Sequence, residues 1–254
     1  MSWAALDEAL AQWQDLETSP VLWWRDDDAV ACTDELRRLL ALTENPARPL
    51  GLAVIPRRAR AELFPYLTEF SAVRVMQHGY AHRNWAPPGV KKSEFGDGRS
   101  ITAVRGDLLA GRDALAAHGA SSDLFVPPWN RIAEPHLRVL ADLGFRLVSG
   151  FTGRRERLFC ETRSGLIRID THVDVIDWRG SRRFVGESEA LSALIAALEL
   201  RRTTPSGDGL DPVGILTHHL VHDDATWRFL ERLFARLDRS GVVQWCDVGA
   251  EAHR

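Results

Sequence analysis

The 254-residue chain predicts an α/β fold whose mostly parallel strands close into a (β/α) barrel of seven or eight strands. Three observations predict it. Short apolar runs alternate with helical patterns along almost the whole chain. The runs are apolar throughout, as strands covered on both faces require. Titratable and aromatic residues gather directly after several of them, where a barrel builds its active site.

Trp3, Leu6, Leu10, Trp13 and Leu16 stand at helical spacing and predict a peripheral helix within residues 1–20, ended by Pro20. Strands are expected at 21–25 (VLWWR), 50–55 (LGLAVI), 73–76 (VRVM), 123–126 (DLFV), 145–149 (FRLVS), 166–170 (LIRID), 213–217 (VGILT) and 242–245 (VVQW). Helices are expected after Asp34, through Leu63 and Leu67, and over 101–118, 134–143, 188–198 and 224–237. The stretches 86–99, 152–165 and 202–212 interrupt this alternation without a change of composition and read as loops, so residues 1–254 are expected to form a single domain.

A 45% hydrophobic and 26% charged composition is that of a soluble globular protein. The net charge of -3, with a pI near 6.3, argues against nucleic acid as a partner. The N-terminus lacks the basic start and apolar run of an export signal and no stretch reaches membrane-spanning length, so a cytoplasmic protein without membrane association is expected. Cys32, Cys160 and Cys246 are widely spaced and suggest neither a disulfide framework nor a thiolate metal site.

Chemistry concentrates after four strands. Arg25-Asp26-Asp27-Asp28-Ala29 follows the first with three consecutive carboxylates, whose repulsion calls for a cation or hydrogen bonds; alone, it would read as a solvated acidic turn. His78 and His82, after the third, are four apart and can face one ion. A lone HxxxH is weak evidence, but this one stands at a strand end, as the Asp run does. Pro127-Pro128-Trp129-Asn130-Arg131 follows the fourth and offers a rigid turn with an aromatic wall, or only a turn with a core Trp. His218, His219 and His222 follow the penultimate strand and supply a titratable group. His172, Asp174, Asp177 and Trp178 follow the 166–170 run and are candidates to line the same cavity.

In kind and order these motifs resemble those of the polysaccharide deacetylases, the NodB-homology domain or carbohydrate esterase family four. WRDDDA is similar to the family's TFDDG-like motif, His78/His82 to its HxxxH, VPPWN to its RxPYG-like motif, and Leu216-Thr217-His218 to its late Leu-x-His. The resemblance spans Val21 to His222 and implies the distorted barrel of that family. It implies Asp27 as catalytic base, Asp28, His78 and His82 as metal ligands, and His218 as general acid. A one-residue slip would shift base and ligand to Asp26 and Asp27. Strand alternation sends Asp26 to the opposite side, toward an Arg, while Asp26, Trp129, Asn130, Asp174, Trp178 and His222 are carried as substrate-contact candidates. Val126 stands where the family has an Arg that orients the base; Arg25 or Arg131 could replace it.

The implied reaction is metal-dependent removal of an acyl group, chiefly acetyl, from an N- or O-acylated sugar, oligosaccharide or small amide. Zinc is the default ion, with cobalt, nickel, manganese or iron also compatible with these ligands. Two rival readings are a catalytically inactive ligand-binding member, motivated by Val126, and a non-haem iron oxygenase using His172, Asp174 and His218 with Arg228 as carboxylate anchor.

Overall fold

The computed structural model describes residues 1–16, 18–44, 48–153, 159–203 and 212–252. Its centre is β1 (Val21–Ala29), nine residues buried along nearly their whole length. Around it lie β2 (Leu50–Val54), β3 (Val73–His78), β4 (Leu124–Val126), β5 (Leu147–Val148), β6 (Phe159–Glu161), β7 (Ile167–Ile169), β8 (Val173–Asp174), β9 (Val213–Thr217) and β10 (Gln244–Trp245). The order across the sheet is β6-β7-β5-β4-β3-β2-β1-β9-β8, with β10 paired to the start of β1. Every ladder is parallel except that of β6 with β7.

All eight expected strands occur, and among the described residues two more join them. β6 falls inside the stretch read as a loop at 152–165, and β8 is a two-residue pairing too short to leave a periodic signal. The loop at 86–99 carries no regular element, while most of the one expected at 202–212 lies outside the described residues. The sheet curls into a half-barrel, and no ladder among the described residues joins β6 to β8. Its terminal strands run two or three residues, too short to sustain a closing ladder. The strand carrying the Asp run and the strand carrying HxxxH are not paired with each other: the wholly apolar β2 lies between them.

Alternation along β1 sorts its side chains. Leu22 and Trp24 point to the layer of helices, joining Leu50, Leu52 and the apolar faces of α2 (Asp34–Ala41), α6 (Glu187–Thr203) and α7 (Asp224–Ser240). Trp23 points to the concave side with Ala53, Met76, Val126, Leu147 and Ile169. On α7 six large apolar residues from Trp227 to Leu237 are buried, each contributing about 1.5–3 kcal/mol relative to exposure. That helix starts at an Asp223 cap accepting from Thr226 N at 2.8 Å and stops at Gly241 in the left-handed region. The N-terminal helix α1 (Trp3–Gln14) buries Trp3, Leu6, Leu10 and Trp13 against α6 and Phe229. After the five-residue α3 (Leu63–Leu67), the remaining long helices, α4 (Ile101–Ala116) and α5 (Glu134–Asp142), pack on each other beside β4. No helix among the described residues is long and apolar enough to cross a membrane.

Candidate active site

The site begins with an irregularity in β1. Asp26 pairs with Leu52 and Ala29 with Val54, so three steps on β1 match two on β2. At this bulge Asp28 takes φ 74°, a left-handed conformation that side chains rarely adopt. Regular alternation would send Asp27 and Asp28 to opposite faces; the bulge turns both into one cavity of about 420 Å³ at the C-terminal ends of the strands.

Asp28 Oδ1 lies 3.3 Å from His78 Nε2 and 3.4 Å from His82 Nε2. One ligand atom from each of the three residues falls within 4.8 Å of the others, and Asp28 Oδ1 is buried without an aligned hydrogen bond. A carboxylate oxygen and two imidazole nitrogens converging on one point fit a divalent cation. His78 Nδ1 sits 3.0 Å from Val126 O, which assigns the proton to Nδ1 and leaves Nε2 facing Asp28. Burial would raise the Asp28 carboxyl, but the close His78 imidazole, with His82 and His218, outweighs it and holds Asp28 well below the usual carboxylate range. Burial lowers His78, yet Asp27 and Asp28 overcome it and raise it. Burial, with His78 beside it, brings His82 down to about 4.

Asp27 is held by Arg25. Arg25 Nη2 donates to Asp27 Oδ2 at 3.1 Å and Nε lies 2.9 Å from Oδ1, both residues being buried. Arg25 also donates to Ser149 Oγ at 2.6 Å, Gly150 O at 3.1 Å and Asn130 Oδ1 at 2.5 Å. Of the two arginines considered as replacements at the Val126 position, Arg25 orients this carboxylate; Arg131 donates to Lys92 O at the rim. Asp27 Oδ1 accepts no aligned hydrogen bond, and His218 Nε2 stands 3.9 Å from Asp27 Oδ2.

The walls are aromatic. Trp129, at φ 56°, lays its ring 4.3 Å from that of His82, and Trp178 meets His218 edge-on at 4.7 Å. Asp174 Oδ2 accepts from Trp178 Nε1 at 2.9 Å; burial pushes the Asp174 carboxyl up against the influence of His218. Asn130, Asp174, Trp129 and Trp178 line the cavity together with Arg131, Phe151 and Arg179. Phe151 and Arg179 were not singled out in the sequence, although Phe151 lies just beyond β5, where the strand-end rule points.

Two expected contacts lie elsewhere. Asp26 faces the helices, accepting from Thr217 Oγ1 at 2.7 Å and His219 N at 2.9 Å, with His219 Nδ1 at 2.5 Å. Alternation takes it away from the cavity, and its partner is a histidine where an arginine was expected. His222 packs on the Trp227 ring at 4.4 Å and its Nε2 accepts from His218 N, outside the cavity lining. The iron-oxygenase triad does not form. His172 Nδ1 accepts from Gly214 N at 2.9 Å and Nε2 faces Arg201 at 2.8 Å, so both nitrogens are engaged; burial and that arginine bring it down to about 3. Arg228 is exposed on α7, and the sheet is parallel where that chemistry uses an antiparallel double-stranded β-helix.

No sequence-family model matches the chain, and no curated protein does. Solved structures do. The fold is similar to that of a protein from Mycobacterium smegmatis assigned as a polysaccharide deacetylase, with a TM-score of 0.65 at 17% identity over 86% of this chain and 76% of that one. It is similar to a family 4 acetyl xylan esterase from Clostridium thermocellum in complex with a cobalt ion, with a TM-score of 0.56 at 14% identity over 91% and 89%. It is also similar to a family 4 pseudoenzyme from Bacillus anthracis, with a TM-score of 0.59 at 14% identity over 90% and 64%. A mutant of that pseudoenzyme has restored enzymatic activity. The chain has the polysaccharide deacetylase fold.

Proposed function

We propose that the chain is a divergent metal-dependent deacylase, removing an acetyl or similar acyl group from an N- or O-acylated sugar, oligosaccharide or small amide. The observation that carries this is the Arg25–Asp27 pair beside the Asp28, His78 and His82 cluster: a carboxylate held in place next to a cation-shaped set of ligands. A divalent ion bound there, zinc by default, would polarise the acyl oxygen and acidify a water. Asp27, its carboxylate fixed by Arg25 at the cavity wall, takes the proton of the attacking water. His218, across the cavity and braced by Trp178, delivers a proton to the departing amine or alcohol. A backbone N–H near Trp129 supports the developing oxyanion. Trp129, Trp178 and Phe151 offer apolar faces for a sugar ring or acyl chain and leave Asn130 and Asp174 to read its polar groups.

The inactive reading rested on Val126. Arg25 holds the carboxylate that the missing arginine would have held, which favours turnover. The test is release of acetate or another acid from a panel of acetylated sugars, oligosaccharides and small amides by metal-replete protein. Asp27→Asn and His218→Ala should each lower turnover about a hundredfold with metal still bound, since each removes proton transfer. If no metal form releases acid while members of the panel bind the cavity, the protein is a binding module and the proposal fails.

A further inference from the structure

Glu94 lies in the stretch read as a loop, yet its side chain is fully buried and its carboxylate oxygens accept from four consecutive backbone amides. Oε2 takes Tyr80 N and His82 N, each at 3.2 Å; Oε1 takes Ala81 N at 2.9 Å and Arg83 N at 3.3 Å. These residues are the turn of HxxxH. His82 within it has φ 55°, a conformation that a histidine holds only when its surroundings over-determine it.

The turn is shaped to admit this carboxylate. A Cβ at Gly79, whose φ is 58°, would sit 2.2 Å from Glu94 Oε2 and 2.5 Å from Pro128. The residues flanking Glu94 are anchored to the segments that follow HxxxH and Trp129. Ser93 O accepts from Trp85 N at 2.9 Å and Ser93 Oγ donates to Arg131 O at 3.3 Å; Phe95 O accepts from Ala133 N at 2.8 Å. One short segment thus ties the HxxxH turn to the turn carrying Trp129, whose ring meets that of His82.

We propose that Glu94 is a positioning residue that sets His82 for metal ligation by gathering the amides of residues 80–83, an inference that rests on His82 being a ligand. Outer partners of metal ligands commonly govern affinity by about 10- to 100-fold. Glu94→Gln keeps the shape but puts an NH2 donor against amide donors, so two of the four hydrogen bonds fail. Three measurements apply to wild type, Glu94→Gln and Glu94→Ala: amide exchange of residues 80–83 without metal, zinc affinity by chelator competition, and the absorption spectrum of the cobalt form. The expected result is faster exchange confined to residues 80–83, zinc affinity lowered about 10- to 100-fold and an altered cobalt spectrum in both variants, with β3 amides still protected. Glu94→Gln with wild-type exchange at 80–83, or with wild-type zinc affinity and cobalt spectrum, overturns the proposal. If both variants lose protection throughout the chain, Glu94 is a general stability residue and the positioning role is wrong. Wild-type protein that binds neither ion sinks the metal reading itself and with it the ligand role given to His82, while the exchange of residues 80–83 still reports whether Glu94 gathers the turn.

Discussion

Replacing Arg25 separates its structural from its catalytic work. Arg25→Gln would leave Asp27, 2% exposed, without a cationic partner and would free Ser149 Oγ, Gly150 O and Asn130 Oδ1 of their shared donor. Removing one partner of a buried ion pair costs about 3–5 kcal/mol. For a chain of this size 1 kcal/mol moves the Tm by roughly 2–4 °C, so a fall of roughly 6–20 °C is expected. Arg25→Lys keeps the charge but exchanges a planar fork for a point charge that cannot hold both Asp27 oxygens and Asn130 at once. Stability should then drop by only about 1–3 kcal/mol. A carboxylate displaced by about 1 Å should still lower turnover about a hundredfold. Thermal unfolding followed by circular dichroism, together with acid release by the same preparations, reads both effects. Arg25→Lys with wild-type turnover, or Arg25→Gln with an unchanged Tm, would refute the reasoning that Arg25 replaces the arginine absent at Val126.

Asp26→Asn should cost about 3 kcal/mol near pH 5–6, measured by urea unfolding, because it breaks the buried pair with His219. Burial opposes both charges, but each partner overcomes it, lowering Asp26 and raising His219. The His219 contribution is therefore whole below its unfolded value and lost as pH rises through its raised one; the Asp26 contribution is whole above its unfolded value and lost as pH falls through its lowered one. The gap between wild type and variant should narrow at both ends, and a gap constant from pH 3 to 9 would contradict the pairing. Zinc affinity should weaken by about tenfold per pH unit on the acid side of the raised His78 value, since one proton must leave Nε2 before it can ligate. His82, brought down to about 4, adds no competing proton there, and a slope of two protons would count against this assignment. His82→Ala should abolish zinc binding in the same titration.

Local order made part of this protein legible without its structure. Apolar runs separated by amphipathic segments marked all eight expected strands, because burial on both faces leaves a composition that survives in one dimension. Titratable residues directly after those runs marked the Asp26-Asp27-Asp28 run, His78, His82 and His218 as candidates, because parallel strands with helical crossovers bring their C-terminal ends together. The choice of Asp27 and Asp28 within the run came from the family resemblance. What stayed hidden depends on contacts between distant segments. Nothing in RDDDA shows that a bulge turns two adjacent carboxylates to one side, or that Asp26 meets His219. Arg25 and Arg131 were equivalent candidates until the fold aimed one inward and left the other at the rim. The three-residue β6 and two-residue β8 lie below the length at which periodicity carries information. Glu94 gave the least warning of all. Its neighbours read as loop, and its importance arises only because the chain returns after a dozen residues to present a buried carboxylate to four amides that no helix or strand satisfies.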